Sequence, residues 1–226
     1  MLKDNWFIYD NIDDISIKLA DDILNLAKKS IELNNTFRIV LAGGKSFVNT
    51  YKILSKSSSN WEKWHIYIGD ERCLQQGNKN RNDYLISQVW LNNSSIPKEN
   101  INFISAEFDI KSAARKYNTV LKKVLNFDLV LLGMGEDGHT ASLFPNSIFK
   151  ENDNILVEKN SPKYPQKRIS MSYARLNKSE VVFKVVCGAS KQFAVELWLS
   201  GVALPISKIH GNSERVYICK DTLSLQ

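Results

Sequence analysis

No stretch of this sequence approaches the roughly 20 consecutive apolar residues of a membrane span. Its opening residues, MLKDNWFIYDN, carry acids where a secretory leader has a basic start and an apolar block. These absences argue against a membrane partner and lead us to expect a cytoplasmic protein. Cysteine is scarce: Cys73, Cys187 and Cys219 are an odd number at wide spacings, without the close pairs of metal sites or disulfide frameworks, and are expected to be free thiols. The three histidines form no HxH or HxxxH pair, so no metal is expected. A GxSxG elbow is also missing, since Ser46 is followed by Phe47 and Val48, which removes the usual serine hydrolase. Cys73 has Arg72 beside it but no histidine placed to activate its thiol, and is read as an ordinary small residue. Repeats and low-complexity tracts are absent.

What is present is ordinary in bulk. The 226 residues, 43% of them apolar, fit one α/β domain. The net charge of +6 points to nucleic acid or to a small anionic substrate. Eight basic residues (159, 163, 167, 168, 175, 178, 184 and 191) face the single acid Glu180 between Lys159 and Lys191. Aromatics do not alternate with these charges as stacking platforms would, so no nucleic-acid partner is expected. The oligomeric expectation is a monomer or homodimer.

Along the chain, strand patterns alternate with helical ones. A strand at Trp6 to Tyr9 precedes a helix from about Asp13, whose Ile15, Leu19, Ile23, Ala27 and Ile31 share one face. Phe37 to Ala42 reads as a buried strand, followed by a glycine turn and a helix near Ser46, its expected N-cap. Trp64 to Gly69 is a strand ending in Asp70, Glu71 and Arg72, with a long polar loop and a helix from Asn82 to Leu91 behind it. A brief strand near Ile101 to Ile104 leads to a helix over Asp109 to Leu125. Leu129 to Leu132 form a short apolar block, the mark of a strand buried on both faces. Strands then follow at Ile155 to Val157, Arg168 to Met171, Val181 to Val186 and Arg215 to Cys219, with a helix opened by Ser190 and Lys191 whose Phe193, Ala194, Leu197 and Trp198 face the core. This alternation predicts an α/β, Rossmann-like fold, a mainly parallel sheet with helices on both faces. In such sheets ligands bind beyond the carboxyl ends of the strands. Gly43 to Ser46, Asp70 to Arg72, Gly133 to His139 and Gly188 to Lys191 all follow strands, so four polar clusters share one rim.

Gly43, Gly44, Lys45 and Ser46 resemble the end of a phosphate-binding GxxxxGK[ST] loop, but the position of its first glycine is Ile39, inside a strand. The surviving claim is a glycine turn whose N–H groups meet an anion, with Lys45 adding charge. Of the histidines, only His139 combines a strand-end loop, adjacent glycines (Gly135 and Gly138) and nearby carboxylates, Glu136 and Asp137, to orient it or raise its pKa. It is the candidate catalytic base.

DLVLLGMGEDGHTASLFP, with IGDER before it and GASK and RISMSYARLN after it, resembles the 6-phosphogluconolactonase family. The resemblance implies hydrolysis of 6-phosphoglucono-δ-lactone, a phosphorylated sugar lactone, without metal or organic cofactor. It implies His139 as general base, Asp70 and Arg72 as the DER residues orienting substrate and histidine, and Arg168 and Lys191 as cations for the 6-phosphate. Gly43, Gly44, Lys45, Ser46, Gly135 and Gly138 complete the expected substrate contacts. This chain departs from the family in reading GGKSF for GGSTP and Arg81-Asn82 for Ser-Asn, which leaves Lys45 and Arg81 either as extra positive charge or as solvated side chains. The rival readings are glucosamine-6-phosphate deaminase, which usually carries DEY for DER, and a non-catalytic sugar-phosphate-binding protein.

Overall fold

A computed structural model describes residues 4–147 and 154–223. Its core is built on short strands, the central ones apolar and buried on both faces: β1 (Trp6–Tyr9), β2 (Phe37–Leu41), β3 (Trp64–Ile68), β5 (Ile101–Asn102), β6 (Phe127–Gly133), β9 (Ser179–Val186) and β10 (Ser213–Cys219), with β1 and β5 at the edges only partly covered. They form one seven-stranded sheet in the order β1-β10-β9-β6-β2-β3-β5, every pair parallel. The chain fills one half of the sheet outward from β2 through β3 to β5. It returns at β6 and fills the other half through β9 and β10. The loops leaving β2 and β6 therefore diverge in opposite directions, opening a crevice at the carboxyl ends of these two neighbours.

Helices close both faces. One apolar cluster, with Ile15, Leu19, Ile23 and Ala27 of α1 (Ile12–Asn34) over Ile39, Leu129 and Leu131, lies on one side. A second, with Tyr117 and Leu121 of α4 (Ile110–Leu121) over Val40, Val130 and Leu132, lies on the other. The alternation of strand side chains sends odd and even positions to opposite clusters. α1 is bounded by its own chemistry: Asn11 Oδ1 accepts from the N–H groups of Asp13 and Asp14 at 2.8 and 3.0 Å. At its end Asn35 turns left-handed at φ 56°, returning its N–H to Ile31. The Tyr117 hydroxyl links α4 to β3, accepting from Ile68 N–H at 3.0 Å and donating to its carbonyl at 2.9 Å.

The shorter helices differ in detail from expectation. Lys45–Phe47 is a tight 3-10 turn and α2 (Val48–Leu54) starts after it; the capping positions are Gly44 and Phe47, so Ser46 is no N-cap. α3 (Asn82–Val89) starts at the site with Asn82, the single turn α5 (Tyr173–Leu176) lies near the amino-terminal end of β6, where Arg175 Nη1 donates to the Leu125 carbonyl, and α6 (Gln192–Leu199) buries Ala194 and Trp198 but leaves Phe193 exposed. Phe193 stands one position before Ala194, about 100° round the helix, and so misses the buried face.

A second sheet was not legible in the sequence. β4 (Asp70–Arg72), β8 (Arg168–Met171) and β7 (Ile155–Glu158) pair antiparallel in the order β4-β8-β7. Its register sets Asp70 against Ser170 and Arg72 against Arg168. This small sheet stands over the crevice and brings two charged stretches nearly a hundred residues apart to one wall.

Candidate active site

The loops after β2, β6 and β9, with β4 and β8, enclose a cavity of about 510 Å³. Its histidine is held by a compact loop. Gly135 N–H donates to the His139 carbonyl at 2.8 Å and Gly138 N–H to the Gly135 carbonyl at 3.0 Å. The imidazole lies directly on Gly135: a Cβ there would fall 2.0 Å from His139 Cε1, so only glycine admits the ring. Phe144 covers another side of the ring, with centroids 4.6 Å apart. Nδ1 is bonded to the Asp137 carboxylate, whose same oxygen accepts from the His139 N–H at 3.2 Å. A carboxylate at Nδ1 fixes that nitrogen as the proton carrier and leaves Nε2 as the acceptor.

Burial pushes the His139 imidazole below its ordinary pKa, and the Asp137 bond and charge only partly restore it. The expected upward shift is thus reversed, because desolvation of the ring exceeds the attraction of its carboxylate. Asp137 itself is raised by burial, but its bond and charge interaction with His139 outweigh this and hold its carboxyl low. Glu136 does not orient the histidine; it faces Lys163, with Nζ and Oε2 3.9 Å apart.

Asp70 is buried with both oxygens engaged. Oδ2 accepts from Ser142 Oγ at 2.5 Å and Oδ1 from Asn82 Nδ2 at 3.1 Å, the latter group also reaching the Asp70 carbonyl at 2.8 Å. The Asn82 amide occupies the space beside Gly43, where a Cβ would fall 1.8 Å from Asn82 Oδ1. Gly43, Asn82, Asp70 and Ser142 are therefore one packed chain joining the β2 turn to the histidine loop.

The cations have distinct surroundings. Arg72 donates through Nη1 to the Asn80 carbonyl at 2.6 Å, and its buried Nε has no hydrogen-bond partner among the described residues. Arg168 is buried, and Nε donates to the Pro165 carbonyl at 3.0 Å while Nη2 reaches the Lys163 and Tyr164 carbonyls at 3.2 and 3.4 Å. Lys191 rides on a turn begun by Gly188 at φ 108°; burial pushes its ammonium below the usual lysine value while Asp221 and Glu136 pull it back.

A profile of the "Glucosamine-6-phosphate isomerases/6-phosphogluconolactonase" family matches residues 10–218. The chain belongs to this family. It is similar to "6-phosphogluconolactonase 3, chloroplastic" of Arabidopsis thaliana, 32% identical over 231 residues covering 93% of this chain and 71% of that protein. Its fold is that of the 6-phosphogluconolactonase from Thermotoga maritima, with a TM-score of 0.89 at 24% identity over 95% of this chain and 99% of the other. A monomeric glucosamine-6-phosphate deaminase superposes with a TM-score of 0.85 at 18% identity, covering 98% of this chain and 100% of its own, so fold alone does not separate the two activities.

The structure brings His139, Asp70, Arg72, Gly43, Gly44, Lys45, Ser46, Gly135, Arg168 and Lys191 to the cavity lining. Gly138 is not among the lining residues; at φ 78° it turns the loop and lies against Leu204, where a Cβ would meet the side chain at 2.7 Å. Arg81 supplies no charge to the cavity. It is buried and bonded to Asp83 at 2.5 Å, Glu107 at 2.8 Å and the carbonyls of Leu74 and Ile104. Arg175 and Lys184 of the basic run are likewise buried, so that run is not one surface. Asn82, Thr140 and Tyr164, which also line the cavity, and Ser142 behind it were not singled out as site residues in the sequence, whereas Lys163, counted in the basic run, also lines it.

One expectation is overturned outright. Cys187 and Cys219 are disulfide-bonded, leaving only Cys73 free. β9 and β10 run parallel in register to Val186 opposite Ile218, so the next residue of each strand faces the other with Cα atoms 4.9 Å apart. A spacing of 32 residues hides this contact from the sequence. Burial pushes the Cys73 thiol up to about 11, consistent with an inert side chain.

Proposed function

We propose that this chain hydrolyses 6-phosphoglucono-δ-lactone to 6-phosphogluconate, with His139 removing a proton from the attacking water. The observation that supports the reading is the Asp137–His139 bond: a carboxylate at Nδ1 leaves Nε2 as the acceptor of a ring that lines the cavity together with the glycine turns. A lactone is an activated ester, so activated water suffices and no covalent nucleophile is needed. Water adds to the carbonyl carbon as its proton passes to Nε2. Backbone N–H groups of the glycine turns and the Arg72 guanidinium meet the oxyanion. The imidazolium then returns its proton to the departing ring oxygen, opening the lactone and restoring the neutral base. Lys191 and Arg168 supply positive charge for the 6-phosphate.

The deaminase reading is disfavoured by Arg72 in the DER triplet and by the lactonase name of the similar curated protein. The test offers both substrates to the purified chain, following acid release from the phosphorylated lactone against its spontaneous opening, and ammonia from glucosamine 6-phosphate. Accelerated opening abolished in His139→Ala is the expected result. Ammonia release without lactone opening would overturn the assignment.

A further inference from the structure

We propose that Cys187 and Cys219 form an exchangeable disulfide, a reversible modification site at which a dithiol reductant loosens the Lys191 turn and weakens its hold on an anionic ligand. Cys219 is fully buried, whereas Cys187 is partly exposed and lines the cavity. An incoming thiolate therefore reaches the Cys187 sulfur, through the cavity itself. The bond ties two turns together, Ala189–Lys191 after β9 and Lys220–Thr222 after β10. Two hydrogen bonds share the load: Gly188 N–H to Asp221 Oδ1 at 3.2 Å and Gln192 Nε2 to the Asp221 carbonyl at 3.0 Å. Opening the disulfide removes the covalent tie between the two turns and leaves these solvent-exposed polar ties, with the strand pairing before them and the packing of Leu223 near α6, to hold the turn that carries Lys191.

The exchange balances without further reagents. The reductant's thiolate bonds to Cys187 Sγ as the Cys187–Cys219 bond breaks, and Cys219 leaves as thiolate and takes up a proton. The reductant's second thiol attacks its own sulfur in the mixed disulfide, releasing Cys187 as a thiol and the reductant as a cyclic disulfide. Two electrons and two protons pass to the protein. Exposed disulfides are the labile, exchangeable ones, and the pair whose Cys187 lies partly exposed at a ligand cavity is of that kind.

The effect on substrate rests on the lactonase reading, whereas the exchange and its link to an anion do not. The chain, treated with oxidant, is denatured and its thiols are titrated: one per chain is expected before dithiothreitol and three after. Native reduction is then timed with and without saturating inorganic phosphate, which slows it by filling the cavity. Phosphate affinity, measured by calorimetry, falls about fivefold or more on reduction, the low end of ordinary coupling between sites. The KM for the phosphorylated lactone rises in parallel. Cys187→Ser, or Cys219→Ala should the first fail to fold, shows the reduced protein's affinity and no response to dithiothreitol. Three thiols after oxidation, a reduction rate indifferent to phosphate, or equal phosphate affinity in the two states would each overturn the proposal. Loss of the lactone arm alone would instead count against the assigned reaction.

Discussion

Ser142 donates its hydroxyl to Asp70 Oδ2 at 2.5 Å, joining residues 72 apart. The bond places Asp70 between the histidine loop and Asn82 rather than free in the cavity, so its contribution is to position other groups. Asp70→Ala leaves the Ser142 hydroxyl and one Asn82 amide hydrogen without their acceptor. We expect a stability loss of about 1–3 kcal/mol for these buried donors. A displaced histidine loop should also cost on the order of 10² in kcat. Thermal denaturation and steady-state kinetics read the two separately, and a lowered Tm with unchanged kcat would confine Asp70 to folding.

The pH profile follows from His139. A general base works when neutral, and burial sets its pKa below the ordinary 6.5. The rate kcat/KM should therefore hold from neutrality down past 6.5 and fall only as pH drops through the lowered value. Asp137 pulls that value upward, so Asp137→Asn should move the acid limb further toward low pH while also lowering the plateau, because the ring loses its fixed tautomer. The sign for stability agrees: the unfolded chain binds this proton at higher pH than the fold, so the His139 contribution declines as pH falls from the ordinary value toward the lowered one. A limb that moves to higher pH in Asp137→Asn would exclude Asp137 as the counter-charge.

The main sheet was legible because each of its buried strands is a short apolar run closed by a turn, and a parallel sheet needs helices between them. The histidine loop was legible because its glycines and its histidine are contiguous. The small sheet was not, since β4 is the three charged residues Asp-Glu-Arg and its partner β8 lies far along the chain. Arg81 shows the opposite failure: as a letter it reads as surface charge, and only the fold surrounds it with Asp83, Glu107 and two carbonyls. Cys187 and Cys219 become neighbours only through the register of β9 and β10, which no local spacing encodes.

Two glycines are required by what rests on them rather than by their dihedral angles. Gly135→Ala puts a methyl 2.0 Å from His139 Cε1, and the ring must leave its Asp137 bond. We expect kcat to fall on the order of 10²-fold with far-ultraviolet circular dichroism unchanged. Gly43→Ala strikes the Asn82 amide at 1.8 Å instead, and so disturbs Asp70 indirectly. Crystal structures of both variants locate the displaced group; an undisturbed imidazole in Gly135→Ala with normal kcat would refute the close-packing argument.

Arg168 and Lys191 entered as equivalent phosphate cations, and their surroundings separate them. Among the described residues Asp221 and Glu136 act on the Lys191 ammonium through charge alone, so Lys191→Ala should raise KM and leave kcat nearly unchanged, the pattern of lost ground-state binding. Arg168 holds the carbonyls of Lys163, Tyr164 and Pro165 through Nε and Nη2, which fixes the wall that carries Lys163 over the cavity. Arg168→Ala removes these donors from a buried position and should raise KM, lower kcat and reduce Tm together. Arg168→Lys should not restore them, because an ammonium cannot reproduce the planar spread of a guanidinium over three carbonyls. Limited proteolysis between residues 159 and 167 is the added readout: cleavage there in Arg168→Ala but not in Lys191→Ala marks Arg168 as the residue that positions the loop. Equal KM effects with no change in cleavage would return it to a simple phosphate ligand.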